Sequence, residues 1–183
     1  PPQSLARPRG EVLRHVSRWR RLWHSTYSTS HMSLTIETEL GVIKLKMRAD
    51  AAPTTAAYIR NLAQDGIYDG CTFYRSDFVI QCGLHGTGKT TGQHGDLKVN
   101  ETSVGPKVSN TRGTAAVAHW DVPDCGNSEF FINLGNNSHL DEAYGGYCVF
   151  AQVEDDASFG VVDAIAAAVK SKGKVAVMKI TCP

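Results

Sequence analysis

The chain has 183 residues, of which 42% are hydrophobic, and its formal net charge is +1. A chain of this length and composition can bury one full-sized core, so we expect a single folded domain. No stretch approaches the roughly 18 consecutive apolar residues of a membrane span.

The charge is distributed unevenly along the chain. Residues 1–31 contain six arginines and one glutamate, giving +5, whereas residues 32–183 contain 13 basic and 17 acidic side chains, giving −4. The slightly acidic body argues against nucleic acid as the main ligand. We therefore predict a basic extension over residues 1–31 and one domain over residues 32–183.

The extension is rich in arginine, serine and tryptophan and nearly free of acids, a composition typical of organelle transit peptides. Three alternatives stay open. The segment could be an ordinary basic tail, an extension that docks the protein in a larger assembly, or cloning-derived sequence ending at the His31–Met32 pair.

The five cysteines are Cys71, Cys82, Cys125, Cys148 and Cys182. An odd number without C-x-x-C spacing predicts free thiols in a reducing compartment rather than a disulfide framework. We expect an intracellular protein, in the cytosol, the nucleus or an organelle such as the mitochondrion or chloroplast. The histidines show no metal-ligand spacing, and we expect neither a metal site nor a cofactor.

Regular patterning begins at Ser33. Leu34–Thr38 and Val42–Met47 alternate apolar and polar residues as half-buried strands do, and Glu39–Gly41 is typical of the hairpin turn between them. The next stretch, Pro53–Gly66, has proline at its start, an apolar helical face and glycine at its end, which predicts a helix.

Further short strands are predicted, with a second helix before the last of them. The strand candidates are Phe78–Cys82, Thr114–Ala118, Glu129–Ile132, Cys148–Val153 and Val175–Ile180, and the helix candidate is Phe159–Val169. Many short strands with two helices favour a closed β-barrel with helical caps, since closure removes exposed sheet edges.

Residues Gly83–Thr90 match G-x-x-x-x-G-K-[ST], the phosphate-binding P-loop. In a P-loop the motif runs straight into a helix, whose amides hold the phosphates. Here the motif is followed by Thr91–Asp96, which has two glycines and no apolar stripe. We interpret the match as a glycine-rich surface loop, and a P-loop nucleotide binder remains as an alternative.

Several segments resemble, in order and over about residues 33–182, the cyclophilin family of peptidyl-prolyl cis-trans isomerases. They are Ala52–Thr55 with the following helix, Gly70–Arg75 with Phe78–Gln81, Ser109–Ala118, Asn127–Ile132, and His139–Asp141 with Tyr147–Phe150. The resemblance implies a mainly β fold, a closed antiparallel eight-stranded barrel capped by two α-helices. It also implies non-covalent isomerisation of X–Pro bonds in proline-containing segments of proteins.

The resemblance further implies the roles of individual residues. Arg75 would be the catalytic arginine, and Gln81 its substrate-positioning neighbour. The implied substrate-binding residues are the apolar pocket residues Phe78, Val79, Phe131 and Leu140, the rim residues Ala118 and His119, Glu129, and Tyr147 in place of the histidine of many relatives.

The sequence departs from the family pattern around this site. The interval from Arg75 to Phe78 is shorter than in typical relatives, and Glu129 replaces the usual glutamine, where an ion pair with Arg75 would divert the guanidinium. His139 occupies the tryptophan position of cyclosporin-sensitive members, so weak cyclosporin binding is expected. The loop Trp120–Cys125 is longer than usual and could alter substrate choice.

Two hypotheses follow from the sequence. The chain is either a working isomerase or a cyclophilin-fold module of low activity that binds proline-containing peptides as a subunit of a larger assembly.

Overall fold

The computed structural model describes residues 32–103 and 105–183. The basic extension at residues 1–31 lies outside the described residues, and the transit-peptide prediction with it. Within the described part of the chain, no helix is both long and apolar enough to cross a bilayer.

Eight antiparallel strands form a closed barrel in the order β1-β2-β7-β5-β6-β4-β3-β8. Their bounds are β1 Ser33–Thr38, β2 Gly41–Met47, β3 Thr72–Ser76, β4 Val79–Gly83, β5 Thr114–Val117, β6 Phe130–Asn133, β7 Val149–Val153 and β8 Val175–Thr181. The expected eight-stranded barrel is confirmed. β3 was not among the strand predictions, and β4 begins one residue later than predicted, which leaves Phe78 in the turn before it.

Two helices cap the barrel, as expected: α1 over Pro53–Gln64 and α2 over Asp156–Lys172. Proline begins α1, since its fixed φ suits the first helical turn and its missing N–H has no partner there in any case. The carboxylate of Asp155 caps α2 by accepting from Ser158 N (2.8 Å), and Gly173 ends the helix at φ 85°.

The long connection between β4 and β5 is anchored by a buried carboxylate. Glu101 is only 4% exposed and accepts from Thr54 N (3.0 Å), Thr55 N (2.7 Å) and Thr55 Oγ1 (2.7 Å). Burial opposes ionisation of Glu101, but these hydrogen bonds from Thr55 and Thr54 outweigh it and lower its pKa. The carboxylate thus occupies the positive N-terminal end of α1 and fastens the connection to it.

The segment that matches a P-loop does not lead into an α-helix. After β4, the chain runs through turns to a three-residue 3-10 helix at Gly92–His94. The prediction of a glycine-rich loop therefore agrees with the fold, because the helix N-terminus that would hold phosphates is missing from this stretch.

Three adjacent strands, β4, β6 and β5, carry apolar side chains on both faces. Every residue of β5 and β6 is buried. Their inward side chains, such as Phe130 and Ile132, join the large core inside the barrel. Their outward side chains join a second apolar cluster formed by Val79, Ala116, Phe131, Leu140 and Val149. This outer cluster carries the candidate site.

Candidate active site

The site is built on one row of cross-strand neighbours on the outer face of the barrel. Strand register pairs Arg75 with Gln81, Gln81 with Phe131, Phe131 with Ala116, and Ala116 with Val149. Because alternate residues of a strand face opposite sides, a row of paired residues shares one face. The row runs from a cation at one end to apolar side chains at the other.

A β-bulge places Arg75 on this face. Phe73 pairs with Cys82 and points into the barrel core, and the register shifts between Phe73 and Arg75. With regular alternation, Arg75 would share the inward face of Phe73. The extra residue, Tyr74, changes the parity of the strand, so that Arg75 turns outward beside Gln81.

A groove of about 840 Å³ runs over the row. It contains all the site residues predicted from the sequence, Arg75, Phe78, Val79, Gln81, Ala118, His119, Glu129, Phe131, Leu140 and Tyr147, and also Tyr74, His85, Trp120 and Tyr144. Val79, Phe131 and Leu140 form its apolar floor, since all three are buried in the outer cluster. Phe78, by contrast, is 43% exposed at the edge.

The Arg75 guanidinium is held from three sides. Its Nη1 donates to Gln81 Oε1 (3.1 Å), and Phe78 lies beneath it, with 5.4 Å from Cζ to the ring centroid. Asp77 Oδ2 accepts from Nε (2.9 Å) and forms an ion pair with Nη2, 2.7 Å away. The expected ion pair between Arg75 and Glu129 does not form, because Asp77 in the short turn takes the guanidinium instead.

Glu129 instead anchors a chain of hydrogen bonds that ends at Arg75. Its carboxylate accepts from His85 N (2.9 Å) and from the Tyr74 hydroxyl (2.5 Å). Burial and the hydrogen bond to Glu129 raise the pKa of Tyr74, so its hydroxyl stays protonated and donates. The same hydroxyl accepts from Gln81 Nε2 (2.6 Å), which leaves Gln81 Oε1 to face Arg75.

Gly83 makes room for this carboxylate. A Cβ atom at position 83 would lie 2.2 Å from Cδ of Glu129, a distance that no real contact allows. The glycine at the end of β4 therefore determines where the Glu129 side chain can lie.

The opposite wall of the groove is fixed by stacked rings. His119 stacks on Tyr147 with ring centroids 4.2 Å apart, and Tyr147 meets the edge of Phe131 at 5.6 Å. The two His119 ring nitrogens contact Trp120 O (2.7 Å) and Gly146 O (2.9 Å). Burial raises the pKa of Tyr147, which keeps its ring neutral beside the apolar floor.

A polar brace behind the floor positions Leu140. Asp141 accepts from Asn110 N (2.8 Å), Asn110 Nδ2 (3.0 Å) and the Ser109 hydroxyl. Burial opposes ionisation of Asp141, but these hydrogen bonds, with Ser109 first among them, lower its pKa. Sequence reasoning missed the roles of Tyr74, Asp77 and Asp141. The short spacing R-S-D-F was a usable signal for Asp77 only.

The geometry therefore combines a fixed cationic donor, an apolar pocket of ring size and an open groove along the sheet. A barrel with such an external groove has room for an extended chain that carries an apolar ring. Comparison with known proteins agrees. The family model described as cyclophilin type peptidyl-prolyl cis-trans isomerase/CLD matches residues 33–182.

Relatives of known name are similar over most of the chain. A peptidyl-prolyl cis-trans isomerase of Synechococcus elongatus is 41% identical over 130 residues, covering 69% of this chain and 83% of the relative. Peptidyl-prolyl cis-trans isomerase B of Escherichia coli is 35% identical over 139 residues, covering 72% and 82%. The chain belongs to the cyclophilin-type peptidyl-prolyl cis-trans isomerases and is an enzyme of that class.

Solved structures agree on the fold. A cyclophilin type isomerase of Cryptosporidium parvum, crystallised in the presence of the dipeptide Ala-Pro, superposes with a TM-score of 0.69 at 19% identity. The match covers 82% of this chain and 98% of the other.

Proposed function

We propose that the chain isomerises X–Pro bonds of proline-containing protein segments without a covalent intermediate, and that Arg75 is its catalytic residue. The observation that supports this most is the position of the Arg75 guanidinium, at one end of a row that continues into the apolar floor around Phe131. A proline ring on that floor would have its nitrogen within reach of a fixed cation.

The barrier that the enzyme must lower comes from amide resonance. Rotation about a peptide C–N bond costs about 18–20 kcal/mol because the bond has partial double-bond character. Without a catalyst, an X–Pro bond therefore exchanges in tens to hundreds of seconds. At the twisted transition state the nitrogen becomes pyramidal and regains its lone pair, and a hydrogen-bond donor can then bind it.

Arg75 suits this step because its interaction appears only when the bond twists. A planar imide nitrogen is a poor acceptor, whereas the pyramidal nitrogen accepts well, so the guanidinium binds the transition state better than the ground state. Arginine stays charged at all relevant pH values, and its planar fork can be fixed by neighbours. Asp77, Gln81 and Phe78 supply that fixation.

The apolar floor holds the ring while the remainder of the peptide turns. Val79, Phe131 and Leu140 would contact the proline ring, and their burial excludes water and so strengthens the field of Arg75. The substrate backbone would run along Ala118 and His119, whose ring is fixed by Tyr147. Gln81 would position the substrate next to Arg75.

The test is a proline-isomerisation assay on a short peptide. We expect Arg75→Ala to lower kcat/KM about a hundredfold or more, as the loss of a transition-state donor does, and Arg75→Lys to recover only part of it. The matched control is Arg48→Ala, because Arg48 forms the same kind of exposed pair with Asp50, two residues on, but does not line the groove. Equal rates for Arg75→Ala and the native protein would refute the mechanism.

A second candidate function is a proline-peptide-binding module with little turnover, acting within a larger assembly. The ion pair between Asp77 and Arg75 supports it, since a carboxylate so close weakens the positive field that the prolyl nitrogen would meet. Peptide binding at background turnover in the native protein would favour this candidate over the first.

We also propose a reducing, intracellular location. The supporting observation is that the five cysteines are all free thiols and four of them are buried. Burial raises the pKa of Cys71 to about 11, which keeps this thiol protonated and unreactive. Fractionation of cells that express the full chain would test the location.

A further inference from the structure

Large apolar side chains are concentrated at the mouth of the groove. Trp120 is 83% exposed and Tyr144 is 59% exposed, and both line the groove. Val122, two residues after Trp120 in the same loop, is exposed as well. We call the loops 119–125 and 142–147 the rim. Exposed aromatic rings of this size normally indicate a contact surface.

The rim is rigidly built. Asn100 joins its two loops, because its backbone N donates to Asp124 Oδ1 (3.1 Å) and its Nδ2 donates to Gly146 O (2.8 Å). Pro123 packs on Gly145 so closely that a Cβ there would be 3.0 Å away. Trp120 is therefore carried by a braced loop, and its ring is available for binding without a large ordering cost.

The backbone of Tyr144 has an unusual, strained conformation. Its φ of 53° places it in the left-handed region, and among the described residues it is the one non-glycine residue there. A non-glycine residue in that region costs on the order of 1 kcal/mol and persists only when its surroundings hold it. Its phenol ring is exposed and lines the groove.

The charges of the rim are of one sign. Asp121, Asp124 and Glu142 are its carboxylates, and neither loop contains lysine or arginine. The carboxylates of Asp121 and Glu142 are exposed and make no hydrogen bond to the described residues. Burial raises the pKa of Tyr147, and among its neighbours Tyr144 and Asp121 raise this pKa further while Arg75 lowers it, so rim groups of both kinds lie near this ring.

We propose that the rim selects proline segments that carry an arginine close to the proline. An arginine can lie on the faces of Trp120 and Tyr144 and pair with Asp121 at the same time, whereas an aliphatic residue uses only the rings. This specificity rests on the proposed function, since it concerns the peptide that occupies the same groove.

The experiment compares peptides of one sequence in which arginine, leucine or glutamate is placed at each position flanking the proline. The best arginine peptide should have a KM about three- to tenfold lower than its leucine counterpart, the range that exposed cation–π and ion-pair contacts provide, at similar kcat. Trp120→Ala should remove most of this preference and Asp121→Asn part of it. Rising salt should weaken the preference, because the pair is exposed.

Matched controls are Met178→Ala and Asp156→Asn, an exposed apolar residue and an exposed acid that do not line the groove; both should keep the preference. Tyr144→Gly tests the second ring while relieving the strained backbone. The inference is wrong if leucine peptides match arginine peptides, if the preference survives in Trp120→Ala, or if the native protein forms dimers that Trp120→Ala abolishes. Absence of turnover on every peptide would instead refute the proposed function.

Discussion

Asp77 Oδ2 lies 2.9 Å from Nε and 2.7 Å from Nη2 of Arg75, so one carboxylate oxygen takes one whole edge of the guanidinium. The other oxygen, Oδ1, accepts from Val79 N at 3.1 Å and closes the turn between β3 and β4. The Asp77 carboxylate in this short turn therefore both stabilises the turn and fixes the guanidinium, and we call this arrangement the Asp77 clamp. Because Nη1 also donates one hydrogen bond to Gln81 Oε1, the second N–H of Nη1 and the outer N–H of Nη2 remain to meet a ligand.

We predict that Asp77 aligns the guanidinium of Arg75, although its negative charge slightly weakens the positive electrostatic field of the arginine. Asp77→Ala should lower kcat about three- to tenfold, because small misplacement of a catalytic group is costly, with KM nearly unchanged. The kcat of Asp77→Asn should lie between those of the native protein and Asp77→Ala, since the amide oxygen of asparagine can keep one contact with Arg75. Stability should change by less than about 1 kcal/mol, as expected for an exposed pair. Asp50→Ala is the control, and a rise in kcat in Asp77→Ala would contradict the prediction.

Glu129→Gln should reverse the hydrogen-bond chain. A carboxylate only accepts, which forces Tyr74 to donate to it and to accept from Gln81. A glutamine must give its oxygen to His85 N and its NH2 to Tyr74, so Tyr74 would then donate to Gln81 and turn the amide nitrogen of Gln81 toward Arg75. Two donors would face each other.

We expect this reversal to lower kcat/KM about three- to tenfold, the cost of about one misplaced hydrogen bond. Tyr74→Phe is the matched variant, because it breaks the chain of hydrogen bonds without reversing it. Its kcat/KM should therefore fall less than that of Glu129→Gln. In the double variant, kcat/KM should be only slightly lower than in Tyr74→Phe alone, because both substitutions act through the same hydrogen bonds. Additive losses would show that Glu129 acts on the substrate directly and not through Tyr74.

Most of the barrel could be predicted from the alternation of apolar and polar residues, and the floor of the site from the family resemblance. Leu34–Thr38 and Val42–Met47 show their buried faces at every second residue. The apolar residues Val79, Phe131 and Leu140 were implied by the family resemblance, and they lie together in the outer cluster.

The orientation of Arg75 and its pairing with Asp77 rather than Glu129 were not predicted, for two physical reasons. The bulge at Tyr74 breaks the period of β3, so the strand has no regular pattern to detect. Which of Asp77 and Glu129 pairs with the guanidinium depends on the distance of each carboxylate from Arg75 in the folded protein, and the sequence does not give these distances. The family resemblance compares one position at a time, so it drew attention to Glu129 in place of the usual glutamine and suggested Glu129 as the partner of Arg75.

The buried carboxylate of Glu101 predicts acid sensitivity. Its folded pKa lies below the value near 4.3 of an unfolded glutamate, so the unfolded state binds more protons as the pH falls. The stabilisation is therefore present above about pH 4.3 and is lost as the pH drops through the lower folded pKa.

Accordingly, Glu101→Gln should lower the free energy of unfolding near neutral pH by about 1–3 kcal/mol, the range for hydrogen bonds to a charged group. Denaturant unfolding should show that the difference from the native protein shrinks on acidification. Glu142→Gln, at an exposed acid, serves as control. A difference that stays constant from neutral to acid pH would contradict the role of the charge.

His139 allows a gain-of-binding test. Its exposed ring meets the edge of Phe78, with centroids 5.8 Å apart, at the groove margin. Since cyclosporin-sensitive relatives have tryptophan here, His139→Trp should bind cyclosporin at least about tenfold more tightly, which requires about 1.4 kcal/mol. Calorimetric titration measures this, and unchanged affinity would show that another departure, such as the Asp77 clamp, limits binding.

The extra residue in β3 adds a ring to the site without moving the arginine to the other face of the sheet. Deleting Tyr74 would place Arg75 directly after Phe73, and regular alternation would still leave Arg75 on the outer face opposite Gln81. The deletion would instead remove the hydroxyl that accepts from Gln81 and donates to Glu129. An insertion that leaves the direction of the strand's functional side chain unchanged has thus supplied a support for the amide beside it.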